Sequence, residues 1–160
     1  MNSPLVPADF IVPTSLETAD FRLRMLTIHD VVKDYDAVMT SAKSLQGVFG
    51  IGSTWPTETL TLEQDLIDLA WHQKEFQRRS SFAYTMMSLD ETRCLGCMYI
   101  YPPTSEGVDA EIIFWVRDSE LESGLEQKLF ETIKKWMKEK FPFASVVYPG
   151  RDPVSGVRYK

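Results

Sequence analysis

In the stretch "DAEIIFWVRD" one carboxylate, Glu111, sits inside an apolar run, with Asp109 two positions earlier. Alternation along an extended segment places the two acids on one face. A carboxylate among apolar residues is expensive unless paired or functional, and burial raises its pKa toward a value useful for accepting a proton. Glu111 is therefore the candidate base, with Asp109 placed to share the proton or attract a cation. The competing reading is a Glu on a solvated face, or one paired to Arg93 or Arg117. Directly afterwards, "WVRDSELESGLEQKLF" runs from a strand-like segment into a helical one through serines and a glycine. Such a joint can hold an anion on backbone N–H groups at the positive end of the helix dipole. Ser123 and Glu126 have the S-x-x-E spacing of a capping box, which would satisfy those donors internally.

Two other patterns invite chemistry and do not carry it. Cys94 and Cys97 form a C-x-x-C in "RCLGC", but a redox pair needs a helix N-terminus and a zinc site needs more ligands. The surrounding "RCLGCMYIY" reads as a buried strand, on which residues three apart face opposite sides. With His29 and His72 the only histidines, the pair reads as two reduced core cysteines, and no metal site is expected. The glycine-rich "GVFGIGSTWP" lacks the Lys-Ser/Thr ending of a phosphate loop and reads as a connector.

The elements that must position these residues follow from periodicity. Residues 1–20 read as an extended N-terminal segment with "FIVP" as an edge strand; 21–150 form one domain; 151–160 are a short C-terminal tail. "FRLRML" alternates with period two, as a half-buried strand does. Thr27 and Asp30 then offer a capping box ahead of a helix running from Val31 to Leu45. A second helix starts at Thr61 with Leu62, Leu66, Leu69, Ala70 and Phe76 as its stripe and "QKEFQRR" as its polar face. "SFAYTMMSL" and "RCLGCMYIYPP" are strands joined by the polar "DETR". The continuous apolar run Ile112 to Val116 predicts a strand buried on both faces. Leu125, Leu129, Ile133, Trp136 and Met137 mark a third helix, and "FASVVYPG" a last strand reached by a parallel crossover.

Composition sets the outer limits. A chain of 160 residues, 44% hydrophobic, suffices for one core but not for two comfortable domains. Net charge is −6, which disfavours nucleic acid and anionic lipid and mildly favours a cationic ligand. No apolar stretch approaches the ~20 residues of a membrane helix, and the N-terminus has no basic segment followed by an apolar one. The expectation is a soluble, cytoplasmic protein.

In its element order the sequence resembles the GNAT superfamily of N-acetyltransferases, over roughly Phe21 to Gly150. The resemblance rests on "FRLRMLTIHD", "CLGCMYIYPP" and "AEIIFWVR", and more narrowly on a short, poorly characterised branch of that superfamily. It implies an α/β (α+β) fold: a mixed central sheet flanked by about three helices, with the usual C-terminal helix and hairpin truncated. It also implies acetyl-CoA as cofactor and a small-molecule or peptide amine as acceptor. The family's Q/R-x-x-G-x-G/A turn falls on Leu121 to Glu126, where only Gly124 matches. Four acids stand against one base between Arg117 and Glu126, which repels a diphosphate.

Acetyl transfer to an amine needs a base for the ammonium proton and donors for the developing oxyanion. The resemblance points to Glu111 as base, to the backbone of Trp115 or Val116 as oxyanion donor, and to Arg117, Ser123, Gly124 and Leu125 as the cofactor turn. Tyr99 and Tyr101 could line the cleft, though alternating strand aromatics are more often core. Tyr148 and Tyr159 are weak stand-ins for the family's general acid. An exposed last strand favours pairing with a second copy, a homodimer. Two readings follow: an N-acetyltransferase acting on a primary amine of unspecified identity, or a catalytically inactive ligand- or protein-binding module on the same fold with a degenerate cofactor turn.

Overall fold

The period-two pattern of "FRLRML" becomes strand β2 (Arg22–Met25), flanked by β1 (Ser15–Glu17) and β3 (Phe82–Met87). With β4 (Cys94–Tyr101), β5 (Ala110–Val116) and β6 (Val146–Val147) they form one sheet in chain order. Every pair is antiparallel except β5–β6, which is parallel. That pair requires a crossover, supplied by a helix of residues 125–140. The computed structural model describes residues 4–159. Among them the expected mixed α/β architecture is present, and no helix is long and apolar enough to cross a membrane. The edge strand expected at "FIVP" lies instead at Ser15–Glu17, beyond Pro13, which has no N–H to give to a ladder.

The capping box at Thr27 forms as expected: Asp30 Oδ2 accepts from Thr27 N at 2.9 Å and Thr27 Oγ1 from His29 N at 3.3 Å. The single helix expected from Val31 to Leu45 is two, α1 (Val31–Met39) and α2 (Ala42–Leu45). Thr40 Oγ1 donates back to Asp36 O at 2.7 Å, a local alternative to helix propagation. Ser41 then leaves the helical region with φ −125°, and its hydroxyl accepts from Asp118 N at 2.9 Å.

Helix α3 (Leu62–Gln77) is turned differently from the expected stripe. Leu69 and Phe76, two turns apart, set the rotation and are buried together with Asp65 and Glu75, whereas Leu62, Leu66, Ile67 and Trp71 are exposed. Leu66 lies about 60° around the helix from Leu69 at ~100° per residue, and Leu62 occupies the first helical position. Glu75, from the expected polar face, is buried against the Ser80 hydroxyl.

Strand β5 is the central element. Ala110, Ile112, Phe114 and Val116 join the core that includes Leu129, Phe130 and Ile133 of α4 (Leu125–Lys140). Trp115 and Ile113 face the other core, with Val38 of α1 and Leu69 of α3. Burial of both faces explains the uninterrupted apolar run, each large side chain contributing about 1.5–3 kcal/mol. All five residues expected on the inner stripe of α4 are buried.

Cys94 and Cys97 are free, buried thiols, but they share one core cluster instead of facing opposite sides. The β3–β4 register shifts between Met86, opposite Gly96, and Met87, opposite Cys94. Leu95 is thus an extra residue that returns Cys94 to the face of Cys97.

Candidate active site

The parallel β5–β6 pair is short. Only Ala110↔Val146 and Glu111↔Val147 are in register, while β5 continues to Val116, so the two chains part and leave a wedge. Arg117 N donates to Leu95 O at 2.9 Å. Antiparallel alternation from that bond aims the Trp115 N–H at β4 and the polar groups of Phe114 and Val116 into the wedge. Arg151 Nη2 reaches Phe114 O at 2.5 Å from that side. Gly96 lets β4 approach here: a Cβ would lie 2.1 Å from Trp115 O.

The wedge meets the start of α4 through a 3-10 turn, Asp118–Ser123, and Gly124 at φ 80°. The capping box expected of Ser123 and Glu126 does not form. The left-handed Gly124 takes the cap position, where no side chain caps the helix. Ser123 Oγ donates to Glu120 O at 2.7 Å and accepts only from Leu125 N, at 3.3 Å. The Glu126 carboxylate turns away to Arg151 Nη1 at 3.1 Å. Among the described residues, therefore, no side chain accepts from the N–H of Glu126 or Gln127. Space beside Gly124 is open, with nothing within 4 Å of an added Cβ.

The acids of this turn are less repulsive than their number suggests. Glu126 is paired to Arg151, and Glu120 to Arg93 at 3.3 Å. A cavity of about 320 Å³ runs here, lined by Trp115, Val116, Leu121, Glu126 and Arg151. Ser123, Gly124 and Leu125 form the turn itself. The Arg117 side chain is withdrawn from it, donating to Cys94 O at 3.0 Å, Asp36 at 3.0 Å and Thr40 at 3.2 Å. The tail 150–159 is packed as well: Arg151 bridges Arg158, Arg151 Nη1 donates to Gly156 O at 2.6 Å, and Arg158 Nη1 to Ser44 O at 2.6 Å. Burial pushes the Arg151 guanidinium down to about 10, against the pull of Glu126.

Glu111 is half-buried on the face opposite α4. Its partner is neither Arg93 nor Arg117 but Thr104: N and Oγ1 of Thr104 donate to Oε1 at 2.9 and 2.6 Å, and Oε2 takes no bond from the described residues. Glu111 opens onto a broad groove with Phe49, Tyr101 and Ile113. Asp109 borders the same groove, but its Oδ2 accepts from Ala144 N and Ser145 N at 2.6 and 3.0 Å while its N–H donates to Ser145 O at 2.8 Å. Asp109 thus anchors the chain entering β6 and fixes where the wedge begins. Tyr148 stands edge-on to Phe130 at 5.0 Å, its hydroxyl pushed up to about 12 by burial. Tyr159 is exposed at the mouth of the wedge cavity.

A second pocket of about 310 Å³ adjoins the groove and shares Phe49 and Tyr101 with it. Asp34 of α1, Asp65, Asp68 and His72 of α3, and Tyr99 of β4 line it. No motif in the sequence marks these acids, or ties His72 to them. Their signal is the i, i+3, i+7 spacing of Asp65, Asp68 and His72, which one helical face collects, hidden by an apolar stripe of equal strength. Tyr99 is buried and accepts from Trp115 Nε1 at 3.1 Å; Tyr101 stacks on it at 5.9 Å.

No protein-family model matches the chain, and no curated protein matches it by sequence. Its fold does match solved structures. The ribosomal-protein-S5-alanine acetyltransferase of Vibrio fischeri superposes with TM-score 0.63 at 13% identity, over 78% of this chain and 67% of that one. RimL, a ribosomal L7/L12 alpha-N-protein acetyltransferase solved with coenzyme A, gives 0.58 at 17% identity, over 79% and 67%. The microcin C7 self-immunity acetyltransferase MccE, solved with acetyl-CoA and AMP, gives 0.57 at 9% identity, over 79% and 68%. These superpositions show that the chain has the fold shared by these solved acetyltransferases.

Proposed function

We propose that the chain is an N-acetyltransferase that passes an acetyl group from acetyl-CoA to a primary amine. The observation that carries this reading is the meeting of the β5–β6 wedge with the helix N-terminus at Gly124, which no side chain caps. Support comes also from RimL and MccE, acetyltransferases of like fold solved with coenzyme A and acetyl-CoA. The residues present fit the cofactor. The first amides of α4 suit a diphosphate, Arg151 offsets the carboxylate of Glu126, and the Val116 polar groups on the wedge side of β5 suit an amide-bearing arm.

Bound there, acetyl-CoA supplies an acetyl group activated as a thioester. A backbone N–H of β5 aimed into the wedge is the donor for the carbonyl oxygen. Glu111 takes the proton of the incoming ammonium, with Thr104 fixing the orientation of its carboxylate. Asp109 positions β6.

Release of free coenzyme A thiol in the presence of a panel of primary amines tests the reading. Glu111→Gln should lower kcat by about 10²- to 10⁴-fold with acetyl-CoA affinity unchanged. Full turnover in that variant would remove Glu111 as base, and absence of thiol release with every amine would leave the binding module as the surviving account.

A further inference from the structure

The pocket between α1, α3 and β4 has a wall of one sign. Asp34, Asp65 and Asp68 line it with no Lys or Arg, and His72 is kept neutral, its pKa pushed down to about 4 by burial. Asp65 is 1% exposed, and its Oδ2 has no hydrogen-bond partner among the described residues. The adjacent carboxyl group of Asp34 is also buried and accepts from Cys97 Sγ at 3.7 Å. Burial raises both acids above the usual carboxylate range. A buried carboxylate oxygen left without a donor is costly; a ligand bearing N–H donors removes that cost.

The same pocket is lined by aromatic residues. Tyr99 and Tyr101 lie nearly parallel, 8° apart, and Phe49 stands edge-on to them at 5.1 and 6.4 Å. Trp55 packs on Phe49 at 5.1 Å. Aromatic rings and carboxylates lining one pocket favour an organic cation over a metal ion, and among the described residues no group of three or more His, Cys, Asp or Glu is arranged to hold a metal.

We infer that this pocket receives an alkylammonium at the far end of the acceptor, so that the substrate is a linear diamine: one ammonium at Asp65, the reacting amine at Glu111. This rests on the acetyltransferase reading for the second amine and on the pocket alone for the first. Phe49 and Tyr101 border both the pocket and the groove of Glu111. Tyr101 is the register partner of Glu111, and Tyr99 lies two residues along β4. The pocket and the groove are thus continuous along one same-face step of β4, about 7 Å, and 1,5-diaminopentane serves as the probe of this class.

Calorimetric titration of the full chain, with and without coenzyme A, tests this using 1,5-diaminopentane, pentylamine and 5-aminopentanoate. The diamine should bind at least about tenfold more tightly than pentylamine, and the zwitterion should not compete. Asp65→Asn should reduce diamine affinity to the pentylamine level, and Trp55→Leu, which leaves every carboxylate in place, should weaken it about tenfold. Equal binding of diamine and pentylamine, no binding of either, or wild-type affinity in both variants would overturn the inference. The two readings fail separately. Equal turnover of mono- and diamines removes the diamine pocket and keeps acetyl transfer, whereas tight diamine binding without thiol release keeps the pocket and removes the transfer.

Discussion

The guanidinium of Arg151 lies 3.7 Å from the centre of the Phe114 ring and donates through Nη2 to the Phe114 carbonyl at 2.5 Å. This contact closes the tail onto the free edge of β5, and the ion pair to Glu126 ties the same group to the first turn of α4. The polar groups that frame the wedge are therefore held by one buried cation.

Arg151→Ala should destabilise the fold by about 3 kcal/mol, because it strands a largely buried carboxylate and a buried carbonyl at once. Urea denaturation reads this directly. In a double-mutant cycle, Glu126→Gln should cost less in the Arg151→Ala background than in the wild type. Additive effects would show that the ion pair contributes nothing.

His72 gives a pH signature. Burial lowers its pKa to about 4, partly offset by Glu75 on the same helix; Asp65 and Asp68 of α3, Asp34 of α1 and Tyr99 of β4 line the same pocket. Below the unfolded value near 6.5 the unfolded chain binds the proton and the folded chain does not. The contribution of His72 is therefore complete above about pH 6.5 and is lost as pH falls toward 4. Between pH 7 and 5 the wild type should lose about 2 kcal/mol relative to His72→Gln. Asp34 and Asp65, raised by burial, act with the opposite sign, so only the difference between the two proteins isolates the histidine. Parallel stability curves would contradict the neutral, buried imidazole.

Two glycines with different surroundings should respond differently to alanine. At Gly96 the new Cβ collides with the Trp115 backbone at 2.1 Å. Gly96→Ala should cost about 3 kcal/mol or more, or fail to fold. At Gly124 only the left-handed φ of 80° opposes the change, and a cost of about 1–2 kcal/mol is expected. Thermal denaturation ranks them; equal costs would mean that β4 does not approach β5 as closely as described.

Strand β5 and the helix after it were legible in the sequence because "AEIIFWV" is apolar at every position but Glu111, and the apolar stripe of α4 repeats from Leu125 to Met137. The turn between them was not. S-x-x-E spacing is the same whether Glu126 caps its own helix or pairs with a distant arginine, and Arg151 lies in a segment without periodicity. The acidic pocket was hidden by competition. Leu62 and Leu66 lie within about 60° of Leu69 around α3 and read with Phe76 as one broad apolar stripe, and tertiary packing turned the helix to bury only Leu69 and Phe76 of that stripe, together with Asp65. The bulge at Leu95, which brings the two cysteines together, depends on register with β3 and leaves no mark on its own strand.

Stabilisation by acetyl-CoA tests the central claim most directly. Thermal unfolding followed against cofactor concentration should show a saturable rise, reaching about 2.7 kcal/mol when the ligand stands at 100 times its Kd. An unfolding curve that does not move at millimolar acetyl-CoA would mean that the amides after Gly124 hold no diphosphate, and the catalytic account would fall with them.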